Sequence, residues 1–392
     1  MKNDLQSRSK RISSVDLPFL AAVLLLLAIG LATLYSAGYA KALQKTGNSY
    51  FYIARQGMFA AGGLVVMFLA SWFPYKAYRK LAPFLYGASV VLLGAVLLLS
   101  NDSEKRWLYI GGFQFQPSEV AKVAVILLLA LYLSNPKLRV RSFWRGIVFP
   151  AVIFGVCALL VGVEPHLSGA ILVCCIGLIM IISAGANVLQ MVPIGLACVA
   201  GAVALYFSKE YMQQRVYTWL HPESDPTGAG YQALQSLYAI GSGGLTGLGY
   251  GNSRQKYLYL PEPQNDFIFS VFCEEMGWIA AVLVLCIFAF LIIRGFYIAA
   301  HAPDRFSSLI VVGIVSRVAV QTIFNIAVVS GALPVTGISL PFFSYGGTAL
   351  LVLLGEMGIV LQISRYATIE KDPPLKSEKS EKQTPSEQEA AV

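Results

Sequence analysis

Uninterrupted apolar runs of about 20 residues recur along this chain between residues 17 and 363, a length that matches the hydrocarbon thickness of a bilayer. The apolar residues are gathered into these runs rather than spread at helical or strand period. Only 13% of the 392 residues are charged and 56% are hydrophobic, against about 25% charged in an ordinary soluble domain. Such a chain cannot cover its surface with polar groups, so lipid is the solvent for most of it.

The expected fold is an all-α polytopic membrane protein of about ten spans, near 17–38, 52–72, 81–100, 118–134, 146–163, 167–184, 188–207, 267–293, 308–332 and 346–363. An even number of spans puts both termini on one side. Clusters at Lys10/Arg11, Lys76/Arg79/Lys80, Arg139/Arg141/Arg145 and Arg294/Arg305 alternate with connections poorer in basic residues, so the termini are expected to be cytoplasmic. This divides the chain into a cytoplasmic start at 1–16, a transmembrane domain at 17–366 and a polar, disordered cytoplasmic tail at 367–392. The first apolar run, from Leu17, is too long for a signal-peptide core and reads as an uncleaved first helix.

The net charge of +8 follows from the positive-inside clusters, which removes the reason to invoke nucleic acid. The six cysteines all fall in apolar runs, and the three histidines lie far apart, so a structural zinc site has no support.

The connection 208–265, between the seventh and eighth spans, is the only long one, and it is expected to face outward. Its mixture of Gly, Pro, aromatic and basic residues suits an ordered loop with re-entrant or interfacial pieces. It carries Arg215, Arg254 and Lys256, while the connection near 101–117 carries Lys105, Arg106 and Trp107. Basic and aromatic residues at an interface can be simple anchors. They can also clamp an anion, because Arg offers a planar fork that suits phosphate oxygens, and an outward excess of cations asks for an anionic partner.

Charges inside a membrane are costly unless paired or facing a cavity. At about 1.5 Å per residue, Glu274, Glu275, Arg317 and Glu356 come to similar depths near the midplane. They read either as an ion-pair network locking the last three helices or as a substrate path. Glu119 and Lys122, three apart on one helical face, read as a local pair. Asp266 stands where the long loop meets the eighth span. It could be an N-cap for a helix beginning at Phe267, or a general base kept ionised by that helix terminus.

These segments resemble the SEDS family, which contains FtsW, RodA and SpoVE, over nearly the whole chain outside its two tails. The likeness rests on KRWLYIGGFQFQPSEVAK at 105–122, EPHLSG at 164–169, the stretch from DPTGAGYQ to PEPQNDFIF at 225–269, EEMG at 274–277 and LPVTGISLPFFSYGG at 333–347. The GNSRQKYLYLPEPQNDF stretch looks closer to the FtsW and SpoVE branch than to RodA. One departure is His166, where the family pattern has Asp.

The resemblance implies a ten-span protein of the bacterial cytoplasmic membrane that polymerises lipid II, with undecaprenyl pyrophosphate as leaving group. It also implies a class B penicillin-binding protein and other divisome or elongation proteins as partners, and Asp266 as the essential acidic residue. A divalent cation, Mg or Mn, could share the pyrophosphate charge, although no ligand cluster is visible. The rival readings are a flippase for the lipid-linked precursor, with the midplane charges as its path, and a scaffold that only recruits an enzyme.

Overall fold

The computed structural model describes residues 15–99, 107–110, 113–164, 167–208 and 210–367. Lys105, Arg106, His166 and nearly all of both predicted tails lie outside the described residues. In chain order the helices are α1 (Leu17–Thr46), α2 (Phe51–Trp72), α3 (Tyr78–Leu99), α4 (Pro117–Leu133), α5 (Phe149–Val163) and α6 (Leu167–Ser183). They continue as α7 (Val192–Ser208), α8 (Glu210–Leu220), α9 (Ala229–Ser242), α10 (Ile268–Ala300), α11 (Arg305–Val329) and α12 (Gly347–Ser364). A small antiparallel hairpin, β1 (Leu108–Ile110) and β2 (Phe113–Phe115), pairs Leu108 with Phe115 and is the departure from an all-helical chain among the described residues.

Among the described residues seven helical segments are long and apolar enough to cross a membrane: α1, α2, Tyr75–Leu98, Phe143–Val163, α10, α11 and α12. The remaining predicted spans correspond to α4, α6 and α7, each of 17 residues. At 1.5 Å per residue that is about 25 Å, shorter than the roughly 30 Å hydrocarbon layer. Helix ends follow the local chemistry. The Asp16 carboxylate accepts from the Phe19 amide at 2.9 Å to start α1, and Gly47 stops it in the left-handed conformation at φ 71°. Asp304 and Ser307 form a reciprocal capping box at the start of α11.

α11 and α12 are mostly buried and form the inside of the bundle, while α2 and α3 keep most of their surface outward. The segment 333–346 between α11 and α12 folds back into the interior, where the Phe343 ring packs 5.9 Å from Phe288. Gly30 of α1 admits this segment, since a Cβ there would lie 2.3 Å from the Phe342 carbonyl oxygen.

Among its described residues the long connection carries two helices, α8 and α9. α9 packs on α10 and α11, with the Ser236 hydroxyl donating to the Val329 carbonyl at 2.7 Å. α10 is not continuous: Gly277 breaks it with φ 75° and ψ 179°. At the other end of the bundle Arg294 holds the Asp16 carboxylate at 2.9 Å, and Arg79 holds Asp304 at 3.0 Å.

Candidate active site

A cavity of about 650 Å³ opens where α1 ends and α2, α4, α10 and α12 begin. That size lies within the range of small-molecule sites, about 300 to 1,000 Å³. Asp266, Arg215 and Trp107 from the sequence-predicted set line it, together with cations the sequence reading did not single out, Lys45 and Arg55. Lys122 and Glu119 form part of its inner wall.

Asp266 is half-buried, on the last residues of the long loop. α10 begins at Ile268 with Phe267 in the N-cap position and no side-chain cap bond, which corrects the expected start at Phe267 and sets Asp266 one residue too early for that role. Its main chain is fixed instead. Asn325 Nδ2 donates to the Asp266 carbonyl at 2.8 Å and to the Ile338 carbonyl at 2.8 Å, so one amide braces the loop and the folded-back segment together. Gly337, at φ 74°, faces the carboxylate, and a Cβ there would stand 3.4 Å from Asp266 Oδ2, in ordinary van der Waals contact.

The surrounding wall is polar and aromatic. Arg55 lies over the Phe51 ring at 4.8 Å, and Tyr52 meets Tyr345 edge-on at 4.9 Å. Gln56 of α2 donates to the Ser344 carbonyl and accepts from the Gly346 amide, both at 3.2 Å, which ties α2 to the start of α12. From the EPHLSG motif Gly169 lines the cavity, and Ser168 donates to the Thr336 carbonyl at 2.8 Å.

Two predicted clamp residues are elsewhere. Arg254 does not line the cavity, and Lys256 is buried with its ammonium bonded to Glu275 and Ser36, both at 2.9 Å, so it cannot reach a pyrophosphate there. The predicted midplane cluster is also two clusters. Arg317 bridges Glu356 and Glu119, each at 2.5 Å, and Glu119 pairs with Lys122 at 2.6 Å. Glu274 and Glu275 belong to a separate network with the long loop. The first cluster balances two positive against two negative groups, which is what burial in a low dielectric demands. Among the described residues no group of three His, Cys, Asp or Glu side chains gathers as a metal site.

A helical polytopic membrane protein whose cavity gathers Lys45, Arg55, Lys122 and Arg215 with the loop carboxylates Glu262 and Asp266 is the class that this fold and site define. The chain belongs to the FtsW/RodA/SpoVE family, described as cell cycle proteins, whose model matches residues 17–369. It is 41% identical to stage V sporulation protein E of Bacillus subtilis (strain 168) over 359 residues, covering 91% of this chain and 98% of that protein. It is 34% identical to the probable peptidoglycan glycosyltransferase FtsW of Geobacter sp. (strain M18), with the same coverage. These two relatives match the branch expected from the GNSRQKYLYLPEPQNDF stretch.

Among solved structures, it resembles a chain described under structural coordination of polymerization and crosslinking by a peptidoglycan synthase complex. That match has a TM-score of 0.74 and 28% identity, covering 90% of this chain and 98% of that one. The rod shape determining protein RodA of Thermus thermophilus matches with a TM-score of 0.67 and 27% identity, over 91% of this chain and 98% of that one.

Proposed function

We propose that this chain is a peptidoglycan glycosyltransferase that polymerises lipid II into glycan strands at the outer face of the bacterial cytoplasmic membrane. The observation that carries the site is the meeting of Asp266 with Arg215, Arg55, Lys45 and Trp107 around one cavity. Asp266 accepts the proton of the acceptor sugar hydroxyl. The resulting oxygen attacks the anomeric carbon of the growing chain, the bond to pyrophosphate breaks, and the configuration inverts. Arg215, Arg55 and Lys45 stabilise the pyrophosphate as it departs with the bond electrons. A divalent cation, Mg or Mn, would share the charge of the pyrophosphate when bound.

The bundle crosses the membrane about ten times with both termini in the cytoplasm, and the segment 208–265 lies outside. A class B penicillin-binding protein and other divisome or elongation proteins are its partners. Work in division, cell shape or spore cortex synthesis fits the family equally. The flippase reading loses ground because Arg317 and Glu356 are both buried and bonded to each other.

The topology has a direct test in a cysteine-free background. Thr227→Cys, on the exposed surface of the long connection, is expected to react with an impermeant thiol reagent in intact cells. Lys137→Cys, between α4 and α5, is expected to react only after lysis. The reverse pattern overturns chemistry at the outer face.

The clamp has its own test. A hydrogen bond to a charged group contributes about 1.5 to 3 kcal/mol, so Arg55→Gln or Arg215→Gln is expected to weaken lipid II binding about 10- to 100-fold. Equilibrium binding with fluorescent lipid II reads this directly, and unchanged affinity in both variants removes those residues from the clamp.

A further inference from the structure

The loop that carries Asp266 runs from the end of α9 to the start of α10, and the ends of its stretch 253–267 are both fixed on the first turns of α10. One end is Phe267, buried at the N-cap. The other is the stretch 253–256, held by two adjacent carboxylates. Glu274 accepts from the Ser253 hydroxyl at 2.5 Å, from the Arg254 and Gln255 amides at 3.1 and 3.3 Å, and from the Ser242 hydroxyl at 3.3 Å. Glu275 accepts from the Ser253 amide at 3.3 Å, the Ser36 hydroxyl at 2.6 Å and the Lys256 ammonium at 2.9 Å. Glu274 is 0% exposed, and Glu275 and Lys256 are each 2% exposed.

The main chain repeats the attachment. The Leu248 and Gly249 amides donate to the Glu274 and Glu275 carbonyls at 3.0 and 2.9 Å, and the Trp278 and Ile279 amides donate to the Gly244 and Leu245 carbonyls at 3.0 and 3.2 Å. The break at Gly277 frees the groups that make these bonds. A Cβ on Gly277 would lie 2.3 Å from the Gly247 nitrogen, so only glycine permits the approach.

From this neck the path to Asp266 leaves little slack. The Leu260 amide donates to the Gln255 carbonyl at 2.9 Å, the Tyr345 amide to the Gln264 carbonyl at 2.9 Å, and Asn325 holds Asp266 itself. Buried apolar residues would join loop to helix without desolvating two carboxylates. What carboxylates add is direction and register, because their acceptor positions match particular amides and hydroxyls.

We propose that Glu274 and Glu275 are positioning residues for Asp266, closing the neck of loop 253–267 on α10 so that the carboxylate is held at the cavity wall. The inference rests on the reading of Asp266 as the base. A displacement of about 1 Å in a reacting group can cost about 10²-fold in rate. Glu274→Gln keeps the side-chain shape but sets an NH₂ donor against one of the two amide donors, Arg254 or Gln255, which bond to different carboxylate oxygens, and so opens the neck.

The test uses the full chain co-expressed with its penicillin-binding partner and assayed on lipid II. Glu274→Gln is expected to lower kcat about 100-fold with KM within about twofold of wild type, and to speed tryptic cleavage after Arg254. Glu275→Gln acts in the same direction. Arg294→Gln is the control, since it breaks the Asp16 pair at the far end of the bundle. It is expected to lower thermal stability while keeping kcat per folded molecule. A Glu274→Gln protein whose kcat falls only in proportion to its folded fraction, or not at all, overturns the inference while an inactive Asp266→Asn leaves the base reading intact. Normal polymerisation by Asp266→Asn overturns the base reading and this inference with it.

Discussion

Asp266→Asn is expected to lower glycan polymerisation by about 10² to 10⁴, the usual contribution of a general base, while the protein folds and accumulates as wild type does. The substitution is nearly isosteric. The Asn325 bond goes to the main-chain carbonyl of Asp266 and survives the change, and the N-cap position of α10 belongs to Phe267. What is lost is the proton acceptor. Asp266→Glu keeps the acceptor but displaces it by about one methylene, so partial or lost activity there shows that position matters as well as charge. The assay is polymer length on gels from purified lipid II in detergent, where no leaflet exists to cross and a flippase forms no polymer. Robust polymerisation by the Asn variant ends the case for Asp266 as the base.

Long apolar runs made the helices legible, because only hydrocarbon burial explains them and their lengths are set by the bilayer. Asp266 was legible at the loop junction, though spacing alone could not separate a base from a cap, and only the fold shows the helix starting at Ile268 with Phe267 at the N-cap. The clamp was harder to read. Lys45 and Arg55 sit near the ends of apolar runs, where basic residues also serve as interface anchors, so their convergence on the cavity needed the fold. Lys256 misled for a related reason. Its neighbours in sequence are loop residues, yet its side chain turns inward to Glu275, and nothing local records that direction. The break at Gly277 was equally hidden, since one glycine in an apolar run leaves hydropathy unchanged. Depth along the membrane normal grouped Glu274 and Glu275 with Arg317 and Glu356, but equal depth does not fix the side of a helix on which a charge lies.

Arg317→Ala is expected to destabilise the bundle by about 3 to 5 kcal/mol, the cost of breaking a buried ion pair from one side. Arg317 is 1% exposed and joins α4, α11 and α12 by holding Glu119 and Glu356. Its removal leaves Lys122 to Glu119 but strands Glu356, a carboxylate 1% exposed. Thermal unfolding in detergent and the yield of monodisperse protein read the loss. Arg317→Lys is expected to recover only part of it, since an ammonium lacks the planar fork that reaches two carboxylates at once. Arg317→Met combined with Glu356→Leu is expected to be less damaging than Arg317→Ala, because removing both charges leaves nothing buried and unpaired at that end. Activity per folded molecule is expected to fall less than yield in all three proteins. Normal folding of Arg317→Ala with abolished polymerisation transfers the Lys122–Glu119–Arg317–Glu356 chain from scaffold to mechanism, through the two members that line the cavity.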